Sequence, residues 1–239
     1  MKKHLLAGVI LSALFSTTAL AALSPQQEQQ LEEINTFLKE NPETISGLHT
    51  SLQQYLAGKE QAEKAQADSQ EWLYNNPAHP IMGNPDSKNI IINFTDYNCP
   101  FCKRLEKALG QLVEEEKDLK VINVYVSFKQ QKLDKIETNS ALYAMNVWEQ
   151  KPEAYTEVHD LLVAKSGLHT TRSLEAVAKR TGTEELLKST PELDSVLTTN
   201  HQTFSALGLT GTPTMIINGQ FLPGYMPYDK LKDVVDQAF

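Results

Sequence analysis

The chain has 239 residues, 22 Lys and Arg against 30 Asp and Glu, a formal net charge of −8 and only two cysteines. That acidic balance argues against nucleic acid and against an anionic membrane surface as partners. The length is enough to bury a sizeable core, as one domain with an appendage or as two small domains.

Residues 1–22 begin with Lys2 and Lys3, run apolar from Leu5 to Phe15 and end on small residues around Ala19-Leu20-Ala21. This is the layout of a secretory signal peptide. The apolar run is shorter than the roughly 20 residues a spanning helix needs, and no later stretch approaches that length. No cysteine lies at the cleavage region, which argues against a lipid anchor. Cleavage is expected after Ala21 or Ala22, leaving about 217 residues with a charge of about −10. The alternative is an N-terminal membrane anchor that is never removed.

Residues 23–75 read as a helical arm. Pro25 suits a first turn, Leu31, Ile34 and Leu38 share one face, and Asn41-Pro42 interrupts the helix. A second helix carries Ile45, Leu48, Leu52 and Tyr55 or Leu56 at three- and four-residue spacing and continues weakly apolar through Ala62, Ala65 and Trp72. So narrow a stripe must pack on something else, the main domain or another copy of itself.

Loop signals at Asn75-Asn76-Pro77 and Gly83-Asn84-Pro85-Asp86 place the start of the compact domain, residues 76–239, near Pro77. Asn89 to Thr95 is a nearly continuous apolar run, as expected of a buried strand. A Cys99-Pro100-Phe101-Cys102 motif follows directly. Lys103 to Lys117 then reads as a helix with Leu105, Leu109, Leu112 and Val113 inward, and Val121 to Phe128 as a second strand. Every periodic segment from about 133 to 207 is helical, with Tyr143, Trp148 and Tyr155 expected in that block's core. Gly211-Thr212-Pro213 precedes a short strand, Thr214 to Ile217, and Asn218-Gly219 signals a two-residue hairpin. Asp229 to Phe239 closes the chain as an amphipathic helix. The run Glu114-Glu115-Glu116 reads as a solvated face. A strand feeding a helix that returns to a neighbouring strand makes a βαβ unit, and the hairpin adds antiparallel strands. The fold class is therefore α/β, a mixed sheet with helices on both sides.

The two cysteines carry the chemistry. An inert local disulfide gains little from closing so small a loop. Structural zinc normally takes four ligands, and His49, His79, His159, His169 and His201 show no ligand spacing. Cu(I) held by two thiolates remains a chemical alternative. A cysteine just before a helix sits near unpaired N–H groups and the positive dipole end, both of which favour thiolate, the nucleophilic form. Cys99 occupies that place and Pro100 fits the first turn. Cys102, one turn in and less exposed, is positioned to resolve a mixed disulfide.

Phe94-Thr95-Asp96-Tyr97-Asn98-Cys99-Pro100-Phe101-Cys102 and Gly211-Thr212-Pro213-Thr214 resemble the thioredoxin superfamily, in particular its DsbA-like branch. The resemblance covers about residues 81–239. It implies a thioredoxin-like fold with an inserted helical domain and a thiol:disulfide oxidoreductase, an oxidase or isomerase of exported proteins. Cys99 and Cys102 would be the redox pair. Pro100, Phe101, Thr212 and Pro213 would contact substrate, with Pro213 cis and the Thr212 backbone pairing with the substrate strand. No cofactor beyond that pair and no metal is implied. The expected partners are unfolded or misfolded exported proteins in the periplasm and a membrane redox protein of the DsbB or DsbD type. The arm resembles the extensions of Com1-like and copper-sensitivity-suppressor-like members, which oligomerise through them, so a homo-oligomer, expected as a dimer, is implied.

Three departures stand out. Pro-Phe replaces the Pro-His of strongly oxidising members, so Cys99 should be less stabilised as thiolate. Where many relatives hold a buried acid six residues before the first cysteine, this chain has Asn93, which cannot act as a base. Thr212 before Pro213 is similar to the disulfide isomerases. Thr212, Phe101 and the arm favour an isomerase-biased or dual activity. The rival reading is a non-catalytic holdase or copper-binding protein using the same groove and thiols. Phe101, Tyr225 and Met226 are candidates for an apolar rim.

Overall fold

A computed structural model describes residues 23–239, so the signal-peptide reading of residues 1–22 lies outside the described residues. The chain divides into two compact units, one ending at Tyr55 and one covering Leu56–Phe239.

In the first unit, α1 (Pro25–Glu40) opens on a capping box. Ser24 Oγ accepts from the Gln27 amide, and the Gln27 side chain accepts from the Ser24 amide. A 3₁₀ turn over Pro42–Thr44 absorbs the break at Asn41-Pro42 before α2 (Ile45–Asp68) begins. Leu31, Ile34, Phe37, Ile45, Leu48, Leu52 and Tyr55 are all exposed.

The second unit begins at Leu56 and takes in the end of α2 and α3 (Gln70–Asn75) ahead of residue 76. Leu73 is fully buried against Phe94, Val124 and Phe204. Trp72 Nε1 donates to Asn200 Oδ1 at 2.9 Å.

The sheet has the order β1-β3-β2-β4-β5, built from β1 (Ile81–Gly83), β2 (Ile90–Thr95), β3 (Lys120–Tyr125), β4 (Thr214–Ile217) and β5 (Gln220–Pro223). The β2/β3 pair is parallel and joined through α4 (Pro100–Glu115); the remaining pairs are antiparallel. Alternation along the strands divides the side chains between two faces. Ile91, Val121, Met215 and Ile217 pack with α4 and with α9 (Tyr228–Ala238). Ile92, Phe94, Ile122, Val124 and Ile216 face Leu73 and Phe204. Asn218 and Gly219 both take positive φ, the type I′ geometry that a tight hairpin needs.

Between β3 and β4 the chain forms α5 (Ser140–Gln150), α6 (Pro152–Ala164), α7 (Thr171–Thr181) and α8 (Pro191–Ala206). Their shared core buries Tyr143 and Tyr155, with Trp148 packed against it. The three-residue β1 is too short to show a period, and the sequence reading did not include it. The glutamate run is not simply solvated: Glu115 accepts a hydrogen bond from Tyr228, and Glu116 pairs with Lys232 at 2.6 Å, tying α4 to α9.

Candidate active site

The motif sits where β2 ends and α4 begins. Asp96 shapes the intervening loop: its carboxylate accepts from the Asn98 amide at 2.7 Å, an Asx turn, and from the Lys129 amide at 3.2 Å. Asn98 fastens the loop to the helical block. Its Oδ1 accepts from the His169 amide at 2.7 Å, and its Nδ2 donates to Ser140 Oγ and Gln130 Oε1. The helix begins at Pro100, which holds the first position, and Cys99 is the N-cap in extended backbone. Among the described residues no side-chain hydrogen bond caps this end, so its amides remain directed at the Cys99 sulfur.

Both cysteines are free and buried, Cys99 at 4 % and Cys102 at 1 % exposure. Their environments drive their acidities apart. A hydrogen bond from the Cys102 thiol, aided by the backbone amides of Cys102 and Phe101 and opposed by desolvation, lowers Cys99 to about 5. Burial, and the same thiol hydrogen bond seen from the donor side, push Cys102 well above the ordinary thiol range. One sulfur is thus a thiolate at neutral pH and the other a protonated thiol, the asymmetry that an attacking and a resolving cysteine require. Cys99 Sγ also lies 3.3 Å from the Thr212 carbonyl, a hydrogen bond that exists only while Cys99 keeps its proton. The Thr212–Pro213 bond is cis, as the family resemblance implied.

A groove of about 590 Å³ opens beside Cys99. Pro100, Phe101 and Thr212 line it, together with Phe128, Phe204 and Leu209, which the sequence reading did not single out. Phe101 is 52 % exposed, with the Arg104 guanidinium 5.6 Å from its ring centre. Phe128, equally exposed, packs edge-on to Phe204 and stacks on His201. Pro213 is buried and does not line the groove. Of the other rim candidates, Met226 packs against the core beneath α4 and α9, and Tyr225, though exposed, does not line the groove.

Behind the cysteines lies a buried polar cluster that sequence reasoning missed. Glu106 is 3 % exposed and stands one turn after Cys102 on the same helix face. Its Oε1 accepts from Asn93 Nδ2 at 2.9 Å and from Thr95 Oγ1 at 2.6 Å. Asn93, in the place where the family pattern calls for an acid, therefore holds an acid contributed by the helix. Burial raises Glu106 to about 7, against which the Thr95 and Asn93 hydrogen bonds act. Its Oε2 has no hydrogen-bond partner among the described residues and lies 3.6 Å from His159 Nε2. Burial lowers His159 to about 4, so this contact joins two groups that are both driven toward neutrality and is not an ion pair. His159 Nδ1 meets Tyr97 Oη at 2.8 Å, and Tyr97 Oη meets Tyr125 Oη at 2.6 Å. The sequence signal was a glutamate four residues after Cys102 in an otherwise apolar stripe. Among the described residues no cluster of His, Cys, Asp and Glu is arranged to hold a metal.

A family model described as Thioredoxin matches residues 75–237. A linker-deletion mutant of Proteus mirabilis ScsC is 31 % identical, covers 92 % of this chain and 98 % of its own, and superposes with a TM-score of 0.70. A periplasmic thioredoxin-like protein from Salmonella enterica serovar Typhimurium is 30 % identical over 71 % of this chain and 94 % of its own, with a TM-score of 0.62. Disulfide bond formation protein D of Bacillus subtilis is 24 % identical over 66 % of this chain and 76 % of its own.

Proposed function

The chain belongs to the thioredoxin family and is a DsbA-like thiol:disulfide oxidoreductase, and from that premise we propose that it rearranges disulfides of exported proteins through Cys99 and Cys102. In the reducing direction the Cys99 thiolate attacks a substrate disulfide. A mixed disulfide forms and one substrate thiolate leaves. Cys102 then loses its proton and attacks Cys99 Sγ, forming the Cys99–Cys102 disulfide and releasing the second substrate thiolate. The substrate gains two electrons and the pair loses two; the reverse sequence oxidises a dithiol. The opposed acidities of the two sulfurs carry this assignment.

The Cys102 proton needs an acceptor, and Glu106 is the nearest titratable carboxyl along its helix face. Its raised pKa lets it take a proton near neutral pH and pass it on. The apolar groove and exposed Phe101 and Phe128 suit the side chains of unfolded substrate, with the Thr212 backbone free to pair with an extended segment.

The periplasm is the proposed location, supported by the secretory layout of residues 1–22 and by the periplasmic protein from Salmonella. A membrane redox protein of the DsbB or DsbD type would reset the pair. The arm would join copies through its exposed face, since Leu31, Ile34, Phe37, Leu48 and Leu52 are each 45 % or more exposed. An oligomer holding several redox pairs suits isomerase work. The test is reactivation of a scrambled multi-disulfide substrate by the reduced full chain and by a Phe37→Glu/Leu48→Glu variant. Strong reactivation that falls in the variant supports an oligomeric isomerase; weak reactivation by both points to a simple dithiol oxidase.

A further inference from the structure

A second concavity, about 500 Å³, adjoins the apolar groove at Pro100 and Lys129, between the start of α4 and the loop that follows α6. Its charge is opposite to that of the whole chain. Lys103, Lys107, Lys129 and Lys165 line it, in a protein of net charge −8. Among the described residues no carboxylate lies within ion-pair distance of any of the four. The carboxylate in the adjoining loop, Asp96, is buried and held by the Asn98 and Lys129 amides.

The four ammonium groups fall into two pairs. Lys103, only 9 % exposed, donates to the carbonyls of Lys165 and Gly167, and Lys165 donates to those of Ser166 and Leu168. These two hold the loop in shape and leave the pocket with positive charge. Lys107 and Lys129 are exposed and their side chains have no hydrogen-bond partner among the described residues. Val163 and Leu168 give the pocket an apolar wall, where a charge pair is less screened than in open water. The helix start adds to the case. The first two turns of α4 carry Lys103, Arg104 and Lys107, and its first turn has no acid. Cations at the positive end of a helix are placed against its dipole, so helix stability does not account for them.

We propose that this pocket takes carboxylates flanking the substrate cysteine, so that the enzyme favours disulfides in acidic peptide segments. The inference rests on the exchange reading of Cys99 above. Pro100 and Lys129 line both concavities, so a segment lying across Cys99 places apolar residues on one side and acidic ones on the other.

The experiment measures second-order exchange rates of the reduced full chain with three short peptide disulfides, their cysteines flanked by two glutamates, two serines or two lysines. Samples are acid-quenched and products counted by mass spectrometry. The glutamate peptide should react fastest and the lysine peptide slowest, against the trend set by the overall charge. Unit charges about 7 Å apart in water correspond to roughly threefold per lysine. Lys107→Gln/Lys129→Gln should therefore cut the glutamate-to-serine rate ratio roughly five- to tenfold at low salt. Salt near 1 M, with a Debye length of about 3 Å, should cut the same ratio in the unmodified protein. Lys88→Gln/Lys117→Gln removes the same charge where β2 starts and α4 has ended, and should leave the ratio unchanged. Equal rates for glutamate and serine peptides, or an equal fall in the control variant, overturn the pocket proposal. Absence of exchange with the serine peptide would instead count against the redox reading itself.

Discussion

Glu106→Gln tests both the buried carboxyl and its assigned chemistry. The substitution keeps an oxygen able to accept from Thr95 and Asn93 and removes only the ionisable group. In the folded protein Glu106 titrates at about 7, above the 4.5 of an ordinary glutamate, because burial penalises its charge. The sign follows from proton uptake. Between those two values the folded state holds a proton that the unfolded state has lost, so stability falls as pH rises through that window and levels off above pH 7. Integrated from pH 5 to pH 8, the loss is about 2.5 kcal/mol, an upper figure for a group with relaxed surroundings. Glutamine has no such loss.

Urea unfolding of the reduced protein and the variant at pH 5, 6, 7 and 8 reads this directly. The variant should gain on the unmodified protein steadily with pH, by about 2 kcal/mol across the range. The kinetic readout is separate. Release of product from a preformed Cys99 mixed disulfide should slow in the variant and lose its rise near pH 7, since Cys102 no longer has its acceptor; catalysis by a positioned base is worth about 10²-fold or more. A stability difference flat with pH would refute the buried, raised carboxyl. A normal pH-dependent release step would refute its role as acceptor even if the stability result held.

Cys99→Ser should abolish exchange, whereas Cys102→Ser should accumulate mixed disulfides with substrate, seen as thiol-sensitive bands on gels. Alkylation of the reduced protein should show a thiolate midpoint near 5 at Cys99. Cys102→Ala, which deletes the largest stabilising hydrogen bond, should raise that midpoint by about one unit or more. Asn200 Oδ1 meets Trp72 Nε1 and His79 Nε2, each at 2.9 Å, and its Nδ2 donates to the Tyr125 carbonyl. Asn200→Ala should therefore cost about 3 kcal/mol in urea unfolding by stranding buried partners. Sedimentation should return a multiple of the chain mass, and Phe37→Glu/Leu48→Glu should return the chain mass.

What the sequence disclosed and what it withheld divide along the range of the interactions. The strand at residues 90–95, the motif, the following helix and the 218–219 turn are local patterns, and each appears within a few residues of its expected place. The groove is not local. Phe128, Phe204 and Leu209 meet at Cys99 only because the helical block returns α8 to the sheet, and no spacing along the chain announces that. The same holds for the packing of Leu73 and Trp72, which look like the tail of a weak amphipathic helix until their partners at Phe204 and Asn200 are in place. The buried acid is the sharpest case. Position by position, Asn93 reads as a loss of function, because an amide cannot accept a proton. In three dimensions the amide is a donor to Glu106, and together with Thr95 it pulls down a carboxyl that burial would otherwise raise further. A proton-accepting site is defined by where a carboxyl is buried and what it touches, not by which strand position carries it. This chain keeps an acid behind its cysteines while moving it from the strand to the helix.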